Sequence, residues 1–239
     1  GVPWNGPQST IDGNTVDRIA LTNTGTSTQM RGISLVGGGS NAAYGAGDAT
    51  LNNNTVGNDT EANSIVVAGG GATSGIYVYA HDTSPIEASG NIVANIAATG
   101  EGASVSLKGI YHDRGIAEWI GNSVHDLTSS SSSANESYAA ALTGIYADLG
   151  YYSGVYTDNF IDQNTIYALR STPATGAATL VSGITGGGGS TYAKGVAQRN
   201  RIYDLTNVST SATAAIRGFN EYLGGWTVAN NQIALTNDP

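Results

Sequence analysis

Asn164-Thr165-Ile166-Tyr167-Ala168-Leu169 returns 36 residues later as Asn200-Arg201-Ile202-Tyr203-Asp204-Leu205, and the whole chain can be read outward from this pair. The shared core, Asn followed two residues on by Val or Ile, occurs at Asn14/Val16, Asn54/Val56, Asn91/Val93, Asn122/Val124, Asn164/Ile166, Asn200/Ile202 and Asn231/Ile233. A second apolar residue stands three positions further at Ile19, Ile96, Leu127, Leu169 and Leu205, whereas Asp59 breaks the series in the second copy. Between these motifs lies another, Gly followed by Ile or Phe, at Gly32-Ile33, Gly75-Ile76, Gly109-Ile110, Gly144-Ile145, Gly183-Ile184 and Gly218-Phe219. Successive copies begin 31 to 42 residues apart. Self-similarity on this scale marks a repeat architecture, in which one copy cannot bury a core alone and must stack on the next.

The apolar positions come as short alternations bounded by Gly, Asn, Ser and Thr, which is the pattern of short strands and turns. No sustained helical periodicity is present, and the 34 glycines would penalise helices by about 1 kcal/mol each. Winding each copy once around a common axis puts equivalent residues on adjacent rungs about 4.8 Å apart. The expected fold is therefore all-β, a right-handed parallel β-helix of about six coils. Residues 1–13 would form a partial coil, 14–230 the six coils starting near residues 14, 54, 91, 122, 164 and 200, and 231–239 a final partial coil. Ile33, Ile76, Ile110, Ile145, Ile184 and Phe219 should form one inward ladder, and the Val/Ile of the Asn motif another. Asn14, Asn54, Asn91, Asn122, Asn164, Asn200 and Asn231 should form a structural ladder at a corner, because Asn tolerates left-handed backbone and its amide can hydrogen-bond along the axis.

This architecture accounts for a composition that otherwise borders on disorder. Leu, Ile, Val and Phe make up just under one fifth of the 239 residues, yet only 11% are charged and the net charge is −9. An acidic chain with nine scattered basic residues is a poor partner for a phosphate backbone, which excludes nucleic acid. No apolar run is long enough to insert in a membrane, and no signal-peptide layout is present. Absence of Cys excludes disulfides and thiolate chemistry and is compatible with export. The start at Gly1 without Met points to a processed or excised portion of a longer product.

The segments Asn164 to Thr172, Gly144 to Tyr146 and Asn230 to Leu235 resemble the β-helix repeats of large secreted surface proteins of Bacteroidota, which often carry a type IX sorting domain. The resemblance runs from about Asp12 to Asn237. It implies a secreted or cell-surface, extracellular protein with a structural or adhesive role.

Candidate chemistry concentrates beside the Gly-Ile motif. Alternation places Tyr77, Tyr111 and Tyr146 on the outer face, with Tyr79, Asp113 and Asp148 two residues further along. Stacked tyrosines stabilise any sheet; the same patch would offer a glycan an aromatic face with carboxylate acceptors. Asp113 and Asp148 on successive rungs would repel and invite a cation, calcium being the expected ion. No catalytic residue is assigned. His81-Asp82, His112-Asp113 and His125-Asp126 are each sequence-adjacent, and neighbours in a strand point to opposite faces, so none is expected to form a dyad. The Ser-rich stretch Thr128 to Ser133 reads as a projecting loop, Gly69 to Gly71 and Gly186 to Gly189 as turns, and Trp4, Trp119 and Trp226 as cap or core residues. No capping helix is visible, so the coil ends should meet another subunit or a flanking domain. The leading expectation is a rod or filament element stacking end to end, with possible polysaccharide contact; the alternative is a polysaccharide lyase or glycoside hydrolase on the same scaffold.

Overall fold

The structure, a computed structural model, describes residues 9–36, 49–80, 85–135, 140–149, 158–173, 176–188 and 194–235. Among them there are strands and turns and no helix. Three parallel sheets run the length of the molecule, and in each the strands stack in coil order. This is the expected parallel β-helix.

The Asn sheet carries Thr15–Val16, Thr55–Val56, Ile92–Ala98, Ser123–Ser129, Thr165–Ser171, Arg201–Asn207 and Gln232–Ala234, with Ile19–Leu21 and Ile65–Val67 completing the first two coils. The Gly sheet carries Met30–Val36, Ala72–Tyr79, Ser106–Arg114, Leu142–Asp148, Leu180–Gly187 and Ala215–Glu221. A third sheet precedes each Asn: Ser9–Asp12, Ala49–Asn52, Ile86–Ser89, Ala117–Ile120, Asp158–Asp162, Lys194–Gln198 and Gly225–Ala229. Its inward column, Ile11, Leu51, Ala88, Trp119, Ile161, Ala197 and Val228, lies three residues before the motif Asn. Trp119 is thereby a core residue, fully buried.

Each motif is a response to its place in the coil. The motif Asn donates its backbone N–H and its side-chain amide to Oδ1 of the next Asn, as in Asn91 to Asn122 at 2.9 and 2.8 Å and Asn122 to Asn164 at 2.9 Å for both. The chain of such pairs is unbroken from Asn14 to Asn231. The remaining amide hydrogen reaches the carbonyl three residues before the previous Asn, for example Leu51 from Asn91 and Trp119 from Asn164. The residue before each Asn has positive φ: Gly13, Asn53, Gly90, Gly121, Gln163, Arg199 and Asn230. That left-handed step makes the corner. A second one, at Arg18, Asn95, Asp126, Ala168 and Asp204, four residues after Asn, turns the strand so that both Val/Ile and the apolar residue three positions on face inward.

The glycine of the Gly-Ile motif faces the Val/Ile column across a narrow interior. A Cβ on Gly75 would lie 2.3 Å from Val93 Cγ1 and 2.8 Å from the Gly109 carbonyl, and the equivalent clash recurs from Gly32 to Gly218. Val and Ile can therefore fill the interior only where Gly stands opposite. The expectation of a turn at Gly186 is replaced by strand: Gly186 and Gly187 end Leu180–Gly187, and Gly186 lies flat against the Trp226 ring. Residues 130–135 lie outside any strand, as expected of a loop, but the Ser stretch does not project. Ser129, Ser131 and Ser133 are buried, each accepting from the N–H two residues on, and Ser131 Oγ donates to the Val105 carbonyl. Serine hydroxyls there substitute for strand pairing.

Candidate functional site

The outer face of the Gly sheet is organised into columns by the register. Arg31, Ser74, Lys108, Thr143, Ser182 and Arg217 align in one, and Ser34, Tyr77, Tyr111, Tyr146, Thr185 and Asn220 in the next. Tyr77, Tyr111 and Tyr146 form the expected ladder, with ring centroids 5.2 Å apart at both steps and planes near perpendicular, the edge-to-face geometry that ring quadrupoles favour. They are not an exposed surface: Tyr77 and Tyr146 are buried and Tyr111 is half-buried.

Asp113 departs from simple alternation. A bulge between His112 and Arg114 pairs Tyr79 with Arg114, leaving Asp113 as the extra residue. Its carboxylate swings onto the tyrosine ladder, where Oδ2 accepts from the Tyr77 hydroxyl at 2.6 Å and Oδ1 from the Tyr111 hydroxyl at 2.9 Å. Burial, together with the hydrogen bond and charge of Asp113, pushes both phenols well above their ordinary range. Paired register with the next coil ends at His112 and Ala147, and Asp148 pairs with Gly187. Asp113 and Asp148 are thus not a paired rung. Among the described residues no group of three or more His, Asp, Glu or Cys converges to hold a metal ion. Tyr79 lies beneath the Arg114 guanidinium, 5.5 Å from its ring centroid.

Two cations complete the patch, and both escaped the sequence reading. Lys108 is 2% exposed, its ammonium 4.4 Å from the Tyr111 centroid and 3.3 Å from Ser106 Oγ, to which it donates. Burial pushes it down to about 8, partly offset by the Asp113 charge. Arg31, exposed, stacks its guanidinium 3.5 Å from the Tyr77 ring centroid. With Gln29, Ser74, Ser104 and Ser106 these residues line a cleft of about 270 Å3. The signal was present: the residue before each motif Gly is polar or charged throughout, from Arg31 to Arg217.

The histidines behave differently from one another. His112 and Asp113 face opposite sides, as expected. His112 is in the core, its Nε2 donating to the Arg114 carbonyl at 2.8 Å, and burial depresses it to about 4. His125 and Asp126 do meet, Nδ1 to Oδ2 at 2.7 Å, because the positive φ of Asp126 turns its carboxylate back. The other nitrogen faces Asp59 Oδ1 at 3.0 Å, so the residue that broke the apolar series is a polar partner of a histidine on another coil. The His125 ring stacks on Tyr167 and that on Tyr203 at 4.6 and 5.0 Å. Neither histidine offers a nitrogen to a substrate in a cleft. His81-Asp82 and Trp4 lie outside the described residues. No family model, curated protein or solved structure matches the chain, so the likeness to bacterial surface repeats rests on the repeat residues alone.

Proposed function

We propose that the protein is a structural element of an extracellular surface rod, extended by copies stacking head to tail through their open coil faces. The observation that carries this reading is the complementarity of the two ends of the Asn ladder. Among the described residues, Asn14 Oδ1 accepts no hydrogen bond and the Asn231 N–H has no acceptor, while every rung between them is satisfied. Placed above Asn231, a second copy's Asn14 would receive its N–H and amide, and the Asn14 amide would reach the Val228 carbonyl as each inner Asn reaches its counterpart.

Two of the three apolar columns end in the same way, while that of the six-stranded Gly sheet stops one rung earlier. Val228 is 45% and Ile233 42% exposed, whereas Ala197 and Ile202 one rung inward are buried. Tyr222, Leu223 and Leu235, late in the chain, are exposed as well. Light scattering across concentration, with electron microscopy of the same samples, tests the reading. Mass should grow with concentration and particles should lengthen along one axis. Ile233→Lys, which puts a charge in the last rung of the Val/Ile column, should hold the chain monomeric. Monomers of the native chain at every concentration, or unchanged assembly of the variant, would overturn it.

A further inference from the structure

The cleft on the Gly sheet carries positive charge that its surroundings compensate only in part. The chain as a whole is at −9, yet here two cations, Arg31 and Lys108, face one carboxylate. Both oxygens of that carboxylate already accept tyrosine hydroxyls. Among the described residues Arg31 makes no ion pair, and Lys108 donates only to the neutral Ser106 hydroxyl although it is almost fully buried. An ammonium so buried ordinarily keeps an anionic partner. The net charge of the three groups is +1, which suits a monoanion, and the Asp113 charge disfavours a phosphate dianion. A volume of about 270 Å3 lies at the small end of ligand sites, room for one compact ligand. Ser74, Ser104, Ser106 and Gln29 present hydroxyl and amide groups around the tyrosine edges, the complement of a polyol.

We propose that this cleft binds one acidic sugar unit, its carboxylate held between Arg31 at the mouth and Lys108 at the floor. The serines and Gln29 take the sugar hydroxyls, beside the half-buried Tyr111 ring. Arg31 stands on the first strand of the Gly sheet, at the end that stacking brings near a second copy, so the cleft is measured on the monomeric Ile233→Lys variant, and the two readings fail separately.

Calorimetry and amide-shift titration at pH 7 with glucuronate, glucose, acetate and inorganic phosphate form the test. Glucuronate should saturate, with glucose and acetate each at least tenfold weaker. Arg31→Gln, at an exposed position, and Lys108→Met, an apolar replacement of similar length, should each weaken glucuronate by about tenfold or more. Binding should weaken between pH 7 and 9.5 as Lys108 loses its proton. No saturation by about 50 mM glucuronate, equal binding of glucose or acetate, tighter binding of phosphate, or an unchanged affinity in Arg31→Gln would each overturn the proposal.

Discussion

Replacing Asn122 by Ala removes one rung from the middle of the amide ladder, and the structure fixes what is left unpaired. Its Oδ1 accepts from Asn91 N and Nδ2, and its Nδ2 donates to Asn164 Oδ1 and to the Ala88 carbonyl. After truncation Asn164 Oδ1 keeps the Asn122 backbone N–H. The two Asn91 donors have no replacement, because Asn91 and Asn122 are both buried and water does not reach them. Each orphaned buried donor costs about 1–3 kcal/mol, so the loss should be about 4 kcal/mol. The same truncation at Asn14 leaves Asn54 Oδ1 with the Asn14 N–H, and the exposed Asn14 amide is already within reach of solvent. That variant should lose less than about 1 kcal/mol. Urea denaturation followed by circular dichroism measures both. Equal losses at the two positions, within about 1 kcal/mol, would refute the view that the ladder stabilises through buried donors that nothing else can satisfy.

Other consequences follow from single groups. His112 is neutral in the core and held to about 4 against an ordinary 6.5, so the unfolded chain binds the extra proton between those values. Its contribution is intact above pH 6.5 and falls by about 3 kcal/mol as pH drops to 4, a slope that His112→Gln should flatten in acid denaturation. Thr73 stands in the inward column among Met30, Leu107, Leu142, Val181 and Ile216, and its buried hydroxyl has no partner. Thr73→Val should therefore raise stability by about 1 kcal/mol in the same denaturation assay, and a loss would contradict the assignment. Gly75→Ala drives a Cβ into Val93 and the Gly109 backbone; it should cost about 3 kcal/mol or more, with Val93→Ala in the same chain recovering part of it.

The repeat was legible because the Asn, Val and Gly motifs each answer to a constraint that recurs on every coil: a ladder, an inward column and the lack of room opposite it. The third sheet was harder to see. Its inward column runs through Ala88, Trp119 and Ala197 as well as Ile and Leu, so side-chain size varies though the spacing to Asn does not. Alternation alone placed the tyrosines outward correctly and then mispredicted two carboxylates. The bulge at Asp113 and the left-handed Asp126 both break the period of two, and neither is marked by a glycine. The Ser tract misled through composition: serine hydroxyls that satisfy neighbouring N–H groups make an ordered, buried edge from residues usually assigned to loops. Lys108 was overlooked because a lone lysine in an acidic chain reads as surface, and its burial depends on neighbours from other coils.

The stacking account is most directly tested by the axial repeat of the assembled material in cryo-electron microscopy. Seven Asn rungs per copy at about 4.8 Å each predict a subunit rise of about 34 Å, with the ladder and the Val/Ile column continuous across the junction from Asn231 and Ile233 to Asn14 and Val16 of the next copy. Assemblies with a side-by-side arrangement, or a rise that breaks the 4.8 Å rung spacing at the junction, would contradict it.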